Sequence, residues 1–399
     1  MENKNKYEWG EGVFTLLSWF RQDKVKNARV LVAGAGALGN EVVKNLALFG
    51  VGHIFVVDFD QIELSNLTRS VLFREEDAYG RAYKAEIVAK RAMEINPQIK
   101  VTPIVGSLLS EVGFGIYRMV DVVIGCLDSR VARYQLNRLC MRAGKTWIDG
   151  SIENLTGAVR VYTPGVSCYE CGLSRDEFNN IMLRTGCADV VRLQNSAGRI
   201  ATTPISASII GAVQVQEAMK TLHLDTEAAS QFKTLQGKIF NYEGMTNSAK
   251  TYRFAPWKAT CPAHERWLPI IEAKELSATQ TVGTILASLK KILDTETVEI
   301  NMRNNKFVDK IVADKPETEF RVMVPESQLE NLIKKDPTMR QLSYTTLFHK
   351  SFFENIDDDF PYKNLTLQQI GIPLFDVLQV TTGKGLFYVE LNADAHLFK

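Results

Sequence analysis

The pattern of apolar and polar positions divides the chain into two stretches. In the first, continuous apolar runs alternate with segments of helical period. "ARVLVAG" (28–34) is apolar nearly throughout, the mark of a strand buried on both faces. It enters "AGALGNEVVKNLALFG", where Val42, Val43, Leu46, Ala47 and Phe49 recur at helical spacing and Gly50 is placed to end the helix. "HIFVVDFD" (53–60) predicts the next strand and "KAEIVAKRAMEI" (84–95) a helix. "VDVVIGC" (120–126), "TWIDG" (146–150) and "GAVRVYT" (157–163) predict three more strands. In "RYQLNRLCMRAG", Leu136, Leu139 and Cys140 share one helical face. "ISASIIGAVQVQEAMKTL" (205–222) predicts a long apolar helix, and "KIFNYEG" and "KTYRFAP" a β-pair. This alternation predicts an α/β, Rossmann-like fold with a mainly parallel sheet.

The pattern changes near Trp267. Short strands ("TVEINM", "DKIVA", "EFRVMV") and one helix ("ESQLENLIKK") follow, then "NLTLQQIGIPLFDVLQV" with an alternating start, a turn at Gly371–Pro373 and a closing strand. The expected division is residues 1–266 and a smaller α+β domain over 267–399.

Composition narrows the class. A chain of 399 residues is too long for one small core. Hydrophobic content of 45% and charged content of 23% fit a soluble globular protein. A net charge of +1 with no basic stretch leaves no footprint for nucleic acid. The start, "MENKNKYEWGEG", has no apolar h-region, and no apolar run reaches membrane length. The expectation is a cytoplasmic protein with no membrane and no nucleic-acid partner. Six cysteines in so long a chain make no disulfide framework; thiols or a metal site fit better.

Gly34, Gly36 and Gly39 form GxGxxG between a predicted strand and helix. Such glycines allow a tight turn and close phosphate approach, and the helix N-terminus favours negative charge. Asp58 ends the next strand, where a carboxylate can bind ribose hydroxyls. The usual ligand of such a loop is NAD or FAD. Here "SNLTRSVLFREEDAYGRAYK" supplies Arg69, Arg74 and Lys84 soon after the ribose acid, and a triphosphate wants several cations. "CLDS" places Leu127 and Asp128 at the end of a buried strand, where a carboxylate can hold Mg²⁺ against ATP phosphates. Each cation taken alone is as well read as solvated surface charge; their grouping points to ATP.

These residues carry a resemblance. "RVLVAGAGALGNEVVKNLALFGVGHIFVVDFDQIELSNLTRSVLFR", "GCLDSRVARYQLN", "WIDGSIENLTGAVRVYTPGVSCYEC" and "CPAH" resemble, in order, the ThiF/MoeB/HesA superfamily. They look most like the adenylating subunits of ubiquitin-type activating enzymes, over roughly residues 28–265. The resemblance implies adenylation of a ubiquitin-like protein's C-terminal glycine by MgATP, then in many members a thioester on a cysteine. By motif, Gly34–Gly39 would hold the nucleotide, Asp58 its ribose, and Asn66, Arg69 and Lys84 the phosphates, with Asp128 on Mg²⁺. Asp60 joins this candidate set. One departure concerns the family's N-terminal RYxRQ-like motif, whose arginine reaches the partner subunit's ATP. Here the stretch reads "WGEGVFTLLSWFRQ", and the nearest arginine is Arg21.

Cys168 and Cys171 form CxxC, and Cys261 and His264 form CxxH about 90 residues later. One CxxC alone fits a redox pair or chance, but the two pairs together suit tetrahedral structural Zn²⁺. The superfamily usually carries CxxC twice, so the histidine is a mild departure. Cys126 and Cys140 read as core. Cys187 stands in the loop-like "LRTGCADV" beside Arg184, surroundings that favour an exposed thiolate. In thioester-forming members the catalytic cysteine follows the first CxxC by a few tens of residues. Cys187 is the free cysteine there, within the segment 172–204, although a bland loop thiol remains an alternative.

The closing residues are similar to the end of a β-grasp fold. Eukaryotic-type activating enzymes carry a ubiquitin-fold domain at this position that recruits a conjugating-type enzyme; a circularly permuted or unrelated α+β module fits equally. The acidic run Asp357–Asp359 is either a partner-binding feature or a solvated loop. The expected function is therefore activation of a ubiquitin-like protein by adenylation, a Cys187 thioester and transfer to a conjugating-type enzyme, in a homodimer. The rivals are a sulfur-carrier or peptide adenylyltransferase without the relay, and a non-catalytic scaffold partner.

Overall fold

The computed structural model describes residues 13–185, 201–303, 305–314, 317–341 and 347–399. It comprises two compact units. Among the described residues no helix is long and apolar enough to cross a membrane.

The first unit is built on an eight-stranded sheet. Its strands are β1 (Arg29–Ala33), β2 (His53–Val57), β3 (Lys100–Ile104), β4 (Val122–Gly125), β5 (Trp147–Glu153), β6 (Thr156–Tyr162), β7 (Lys238–Glu243) and β8 (Ser248–Arg253). The spatial order is β3-β2-β1-β4-β5-β6-β7-β8. β3 to β5 run parallel through β2, β1 and β4, and β5 to β8 continue antiparallel. The apolar runs form the strands because both faces are covered: β2 and β4 are buried at every residue.

The helix Ala37–Phe49 follows β1 and buries Val42, Val43, Leu46 and Ala47 completely. It stops at Gly50, whose φ of 77° is the left-handed cap that glycine adopts without a Cβ penalty. The helix Lys84–Ile95 lies where its period predicts it. The helix Pro204–Leu222 packs Ile210, Val215, Ala218 and Met219 into the same core as β1, β2 and β4. The helix Arg130–Ala143 brings Leu136 against the other face, beside Trp147 and Gly125.

The second unit holds two smaller sheets. One contains β9 (Ile270–Ala273), β10 (Glu299–Asn301), β14 (Asn355–Ile356), β15 (Val377–Thr382) and β16 (Gly385–Leu391), in the order β14-β10-β15-β16-β9. The other is β12-β11-β13, from β11 (Phe307–Asp314), β12 (Glu317–Pro325) and β13 (Leu347–Phe353). The helix Val282–Leu293 covers the first sheet with Ile285, Leu286 and Leu289, and Glu326–Lys335 covers the second with Leu329 and Ile333. The unit is α+β, as the sequence suggests.

The alternating run before Gly371 is built of turns: residues 364–370 bury Leu367 and Ile370 in one core. Gly371 itself has φ of 98°, and a Cβ there would lie 2.6 Å from Pro325 Cβ. The unit also includes Leu109–Ile116 from the connection between β3 and β4. Phe114 donates its N–H to Asp376 at 2.8 Å and sets its ring 4.7 Å from that of Trp267. Of the acidic run, Asp358 is paired with Lys290 at 2.7 Å and Asp357 accepts the N–H of Asp359.

Candidate functional site

Strand order decides where a ligand can sit. β1 lies between β2 and β4, so the chain leaves β1 towards one side and returns from β3 to the other. Ligands of open α/β sheets bind at such a switch, outside the carboxyl ends of the strands. The register places the candidates there. Ala33 is level with Val57 and with Gly125, so Gly34, Asp58 and Cys126 start their loops at one height.

The glycine loop is shaped by two close approaches. Gly34 has φ of 100°, and a Cβ on it would come 2.4 Å from the Cys126 carbonyl oxygen. A Cβ on Gly39 would come 2.0 Å from the Gly34 carbonyl oxygen. Gly36 differs: it caps the helix Ala37–Phe49, and a Cβ there would meet nothing within 4 Å. The loop is thus closed by Gly34 and Gly39 and open at Gly36, as a phosphate cradle requires.

Asp58 accepts the N–H of Ala35 at 2.7 Å and that of Asp60 at 2.8 Å, which fixes its carboxylate against the loop. Burial raises its pKa above the ordinary carboxyl value, opposed by Lys84 and those two N–H groups. Lys84 pairs with Asp60 at 2.7 Å. Asn66 is buried, and its side-chain oxygen accepts the Glu63 N–H at 3.1 Å. Arg69 donates to the Ser65 carbonyl, and the exposed Arg74 to the carbonyls of Val71 and Phe73. Leu127 lends its carbonyl to Arg133. Asp128 is exposed, and among the described residues its carboxylate has no hydrogen-bond or ion-pair partner. An unpaired carboxylate at the switch point is a suitable donor for a hard divalent cation. Arg21 turns its guanidinium onto the carbonyls of Ser18 and Phe20.

Several residues that the apolar pattern concealed hold these parts together. Asn40 is fully buried; its amide donates to the carbonyls of Ala35 and Gly36 and accepts the Leu72 N–H at 2.9 Å. It therefore ties the glycine loop to the segment bearing Asn66, Arg69 and Arg74. Asp149 is 1% exposed and binds Arg133 Nε at 2.8 Å. Gln214, fully buried, bonds the carbonyls of Gly125 and Ile148. Asp149 and Gln214 are polar residues amid apolar neighbours, and that was their visible signal; Asn40, followed by Glu41, gave none.

A second centre lies in the same unit. Cys168, Cys171, Cys261 and His264 bring their ligand atoms within 4.8 Å of one another. Cys171 Sγ is 3.4 Å from His264 Nε2. Asn137 donates to Cys168 Sγ at 3.3 Å, and the Lys258 N–H to Cys171 Sγ at 3.4 Å. Trp257 stacks on the His264 ring at 3.3 Å. Burial pushes the Cys168 thiol up to about 12 and raises Cys261 as well. Three sulfurs and an imidazole with N–H donors around them fit a closed tetrahedral metal site.

The remaining cysteines divide. Cys140 is fully buried, and burial holds its thiol well above the ordinary range. Cys126 is half-buried, and its thiol is pushed up by burial and by Asp149. Cys140 is core, as read from sequence; Cys126, expected to be buried core, is only partly buried and packs against the core's margin. Cys187 lies outside the described residues.

Fold and site together define a Rossmann-type nucleotide-binding unit with a Cys3His cluster. The ThiF family model matches residues 10–263, and the chain belongs to the ThiF family. It is 34% identical over 228 residues to the molybdopterin-synthase adenylyltransferase of Escherichia coli (strain K12), covering 56% of this chain and 82% of that protein. It is 36% identical over 151 residues to SUMO-activating enzyme subunit 2 of Dictyostelium discoideum, covering 37% of this chain but 22% of that one. A crystal structure of E. coli MccB with ATP matches at 25% identity and a TM-score of 0.49, covering 61% of this chain and 68% of that one.

Proposed function

We propose that this protein adenylates the C-terminal carboxylate of a ubiquitin-like or sulfur-carrier protein. One observation supports this above the others. Gly36, Asp58 and Asp128 follow three adjacent parallel strands at their carboxyl ends, with Asn40 linking the glycine loop to the cationic segment. The substrate carboxylate attacks the α-phosphorus of ATP, the bond to the β-phosphate oxygen breaks, and pyrophosphate leaves. The carboxylate is already a nucleophile, so no general base is needed. The task is to bring two anions together, which the helix N-terminus at Gly36, Arg69 and Lys84 would serve. Mg²⁺ held by Asp128 would neutralise charge on the triphosphate. The test is pyrophosphate exchange into ATP, measured with small carriers that end in glycine. Exchange that needs no carrier, or none with any carrier, would defeat the reading.

Gly36 and Gly39 separate binding from folding. Gly36→Ala should melt like the parent, since its Cβ meets nothing and its φ of −72° suits alanine. Its methyl group stands where phosphate must approach, so ATP affinity should fall about tenfold, a loss near 1.4 kcal/mol. Gly39→Ala must displace backbone and should lose both stability and ATP binding. Equal melting of the two variants would remove the steric argument.

The finer reading adds a thioester. Cys187 would attack the acyl-adenylate, forming the thioester and releasing AMP. It would then pass the acyl group to a conjugating-type enzyme, recruited by the domain 267–399, within a homodimer. Its support is the position of Cys187 in sequence between the CxxC and the helix Pro204–Leu222, together with the full burial of Cys140. Cys187→Ala should keep pyrophosphate exchange and lose a thiol-sensitive carrier adduct on denaturing gels. If the adduct survives, Cys187 is not the acceptor; if the parent forms no such adduct, the sulfur-carrier reading without a relay stands.

A further inference from the structure

β4 and β5 part company just where the site begins. Their last paired residues are Gly125 and Asp149. β4 ends there while β5 runs on to Glu153, and a buried carbonyl at such an ending needs a donor. Two side chains supply donors at successive levels. Gln214 Nε2 bonds Gly125 O at 2.9 Å and Ile148 O at 3.1 Å. Arg133 Nη2 bonds Leu127 O and, at 3.1 Å, Gly150 O. The second rung lies two residues further along the chain on each side than the first, past the end of β4 and within β5. The rungs come from opposite faces. Gln214 stands on the helix that shares a core with Val122, Ile124 and Ile148, and Arg133 on the helix that meets Trp147.

The outer rung is held by charge. Arg133 Nε meets Asp149 Oδ1 at 2.8 Å, and both side chains are largely buried, at 12% and 1% exposure. The other carboxylate oxygen faces Arg160 at 3.6 Å. A guanidinium offers donors in a rigid planar fork, so one group can bind the carboxylate along one edge and two carbonyls with the other. One of those carbonyls belongs to Leu127, joined by a peptide bond to Asp128. We propose that Arg133, fixed by Asp149, is a positioning residue that holds the Leu127–Asp128 peptide in place for the divalent cation of the bound nucleotide. This rests on the reading of the crevice as a MgATP site. It extends that reading to a residue pair that touches neither nucleotide nor metal.

The pair predicts a defect confined to the cation. Arg133→Lys keeps a positive charge for Asp149 but loses the fork to Leu127 and Gly150. Affinity for ATP is measured by calorimetry, with Mg²⁺ and with excess EDTA, alongside melting temperature. The parent should bind ATP more tightly with Mg²⁺. In Arg133→Lys that Mg²⁺-dependent gain should shrink by about tenfold, with EDTA affinity unchanged. Asp149→Asn should do the same, and serves as the second variant should Arg133→Lys not fold. Added to Asp128→Ala, either change should cause no further loss of the gain. Equal weakening with and without Mg²⁺, or an undiminished gain, overturns the positioning role. A parent that binds no ATP at all overturns the nucleotide reading instead, and the proposal falls with it.

Discussion

Asp128→Ala is expected to lower carrier-dependent pyrophosphate exchange by about a hundredfold or more, the usual scale for losing one electrostatic contributor to a transition state. The melting temperature stays within a few degrees of the parent. The two halves of this outcome come from one observation. Asp128 is exposed and has no hydrogen-bond or ion-pair partner among the described residues, so its removal leaves no buried group unsatisfied. A carboxylate without a structural partner at the switch point is available to a ligand. The proposed reaction would place a carboxylate against a triphosphate, and loss of a cation held by Asp128 would expose that repulsion in full. Asp128→Asn keeps the shape and removes the charge; it should be nearly as impaired, with ATP affinity in EDTA near that of the parent. Exchange that survives both substitutions would take the cation away from Asp128. A large fall in melting temperature would mean that the residue is structural.

The parts of the fold that were legible share a cause. β1, β2 and β4 are buried on both faces, so their sequences are plain apolar runs, and the helix Ala37–Phe49 declares both its period and its glycine stop. The glycine loop was legible because close backbone approach admits no other residue at Gly34 and Gly39. The polar framework was not. Asn40, Asp149 and Gln214 act through backbone carbonyls and N–H groups brought near by tertiary structure, and a linear pattern has no term for that. Asp149 sits inside "TWIDG", where the strand is obvious and the buried charge is the anomaly. Its partner Arg133 reads as an ordinary surface charge on a helix. The turns at residues 364–370 were not legible for a related reason: alternation over a few residues does not say whether a strand or a turn buries Leu367 and Ile370.

The metal centre yields the second large effect. Purified protein should contain one zinc per chain, and Cys168→Ser should lose it and melt about 10 °C lower, since about 3–4 kcal/mol moves a domain of this size that far. The argument is one of chain topology. Cys168 and Cys171 follow β6, whereas Cys261 and His264 follow β8, about 90 residues later. A bound ion cross-links those two turns and closes the loop between them, and long closures constrain the unfolded chain most. The surrounding donors fit the same view. Asn137 and the Lys258 N–H point at sulfurs that would carry charge as metal ligands, and Glu170 is tied to Arg138 at 3.0 Å beside them. With all four positions filled by protein, a bound ion would have no open site for substrate, so its removal should act through stability. His264→Cys keeps four ligands and should retain both zinc and melting temperature. If Cys168→Ser melts like the parent, the centre contributes nothing to the fold. If the parent holds no zinc when prepared without chelators, the four residues are not a zinc site.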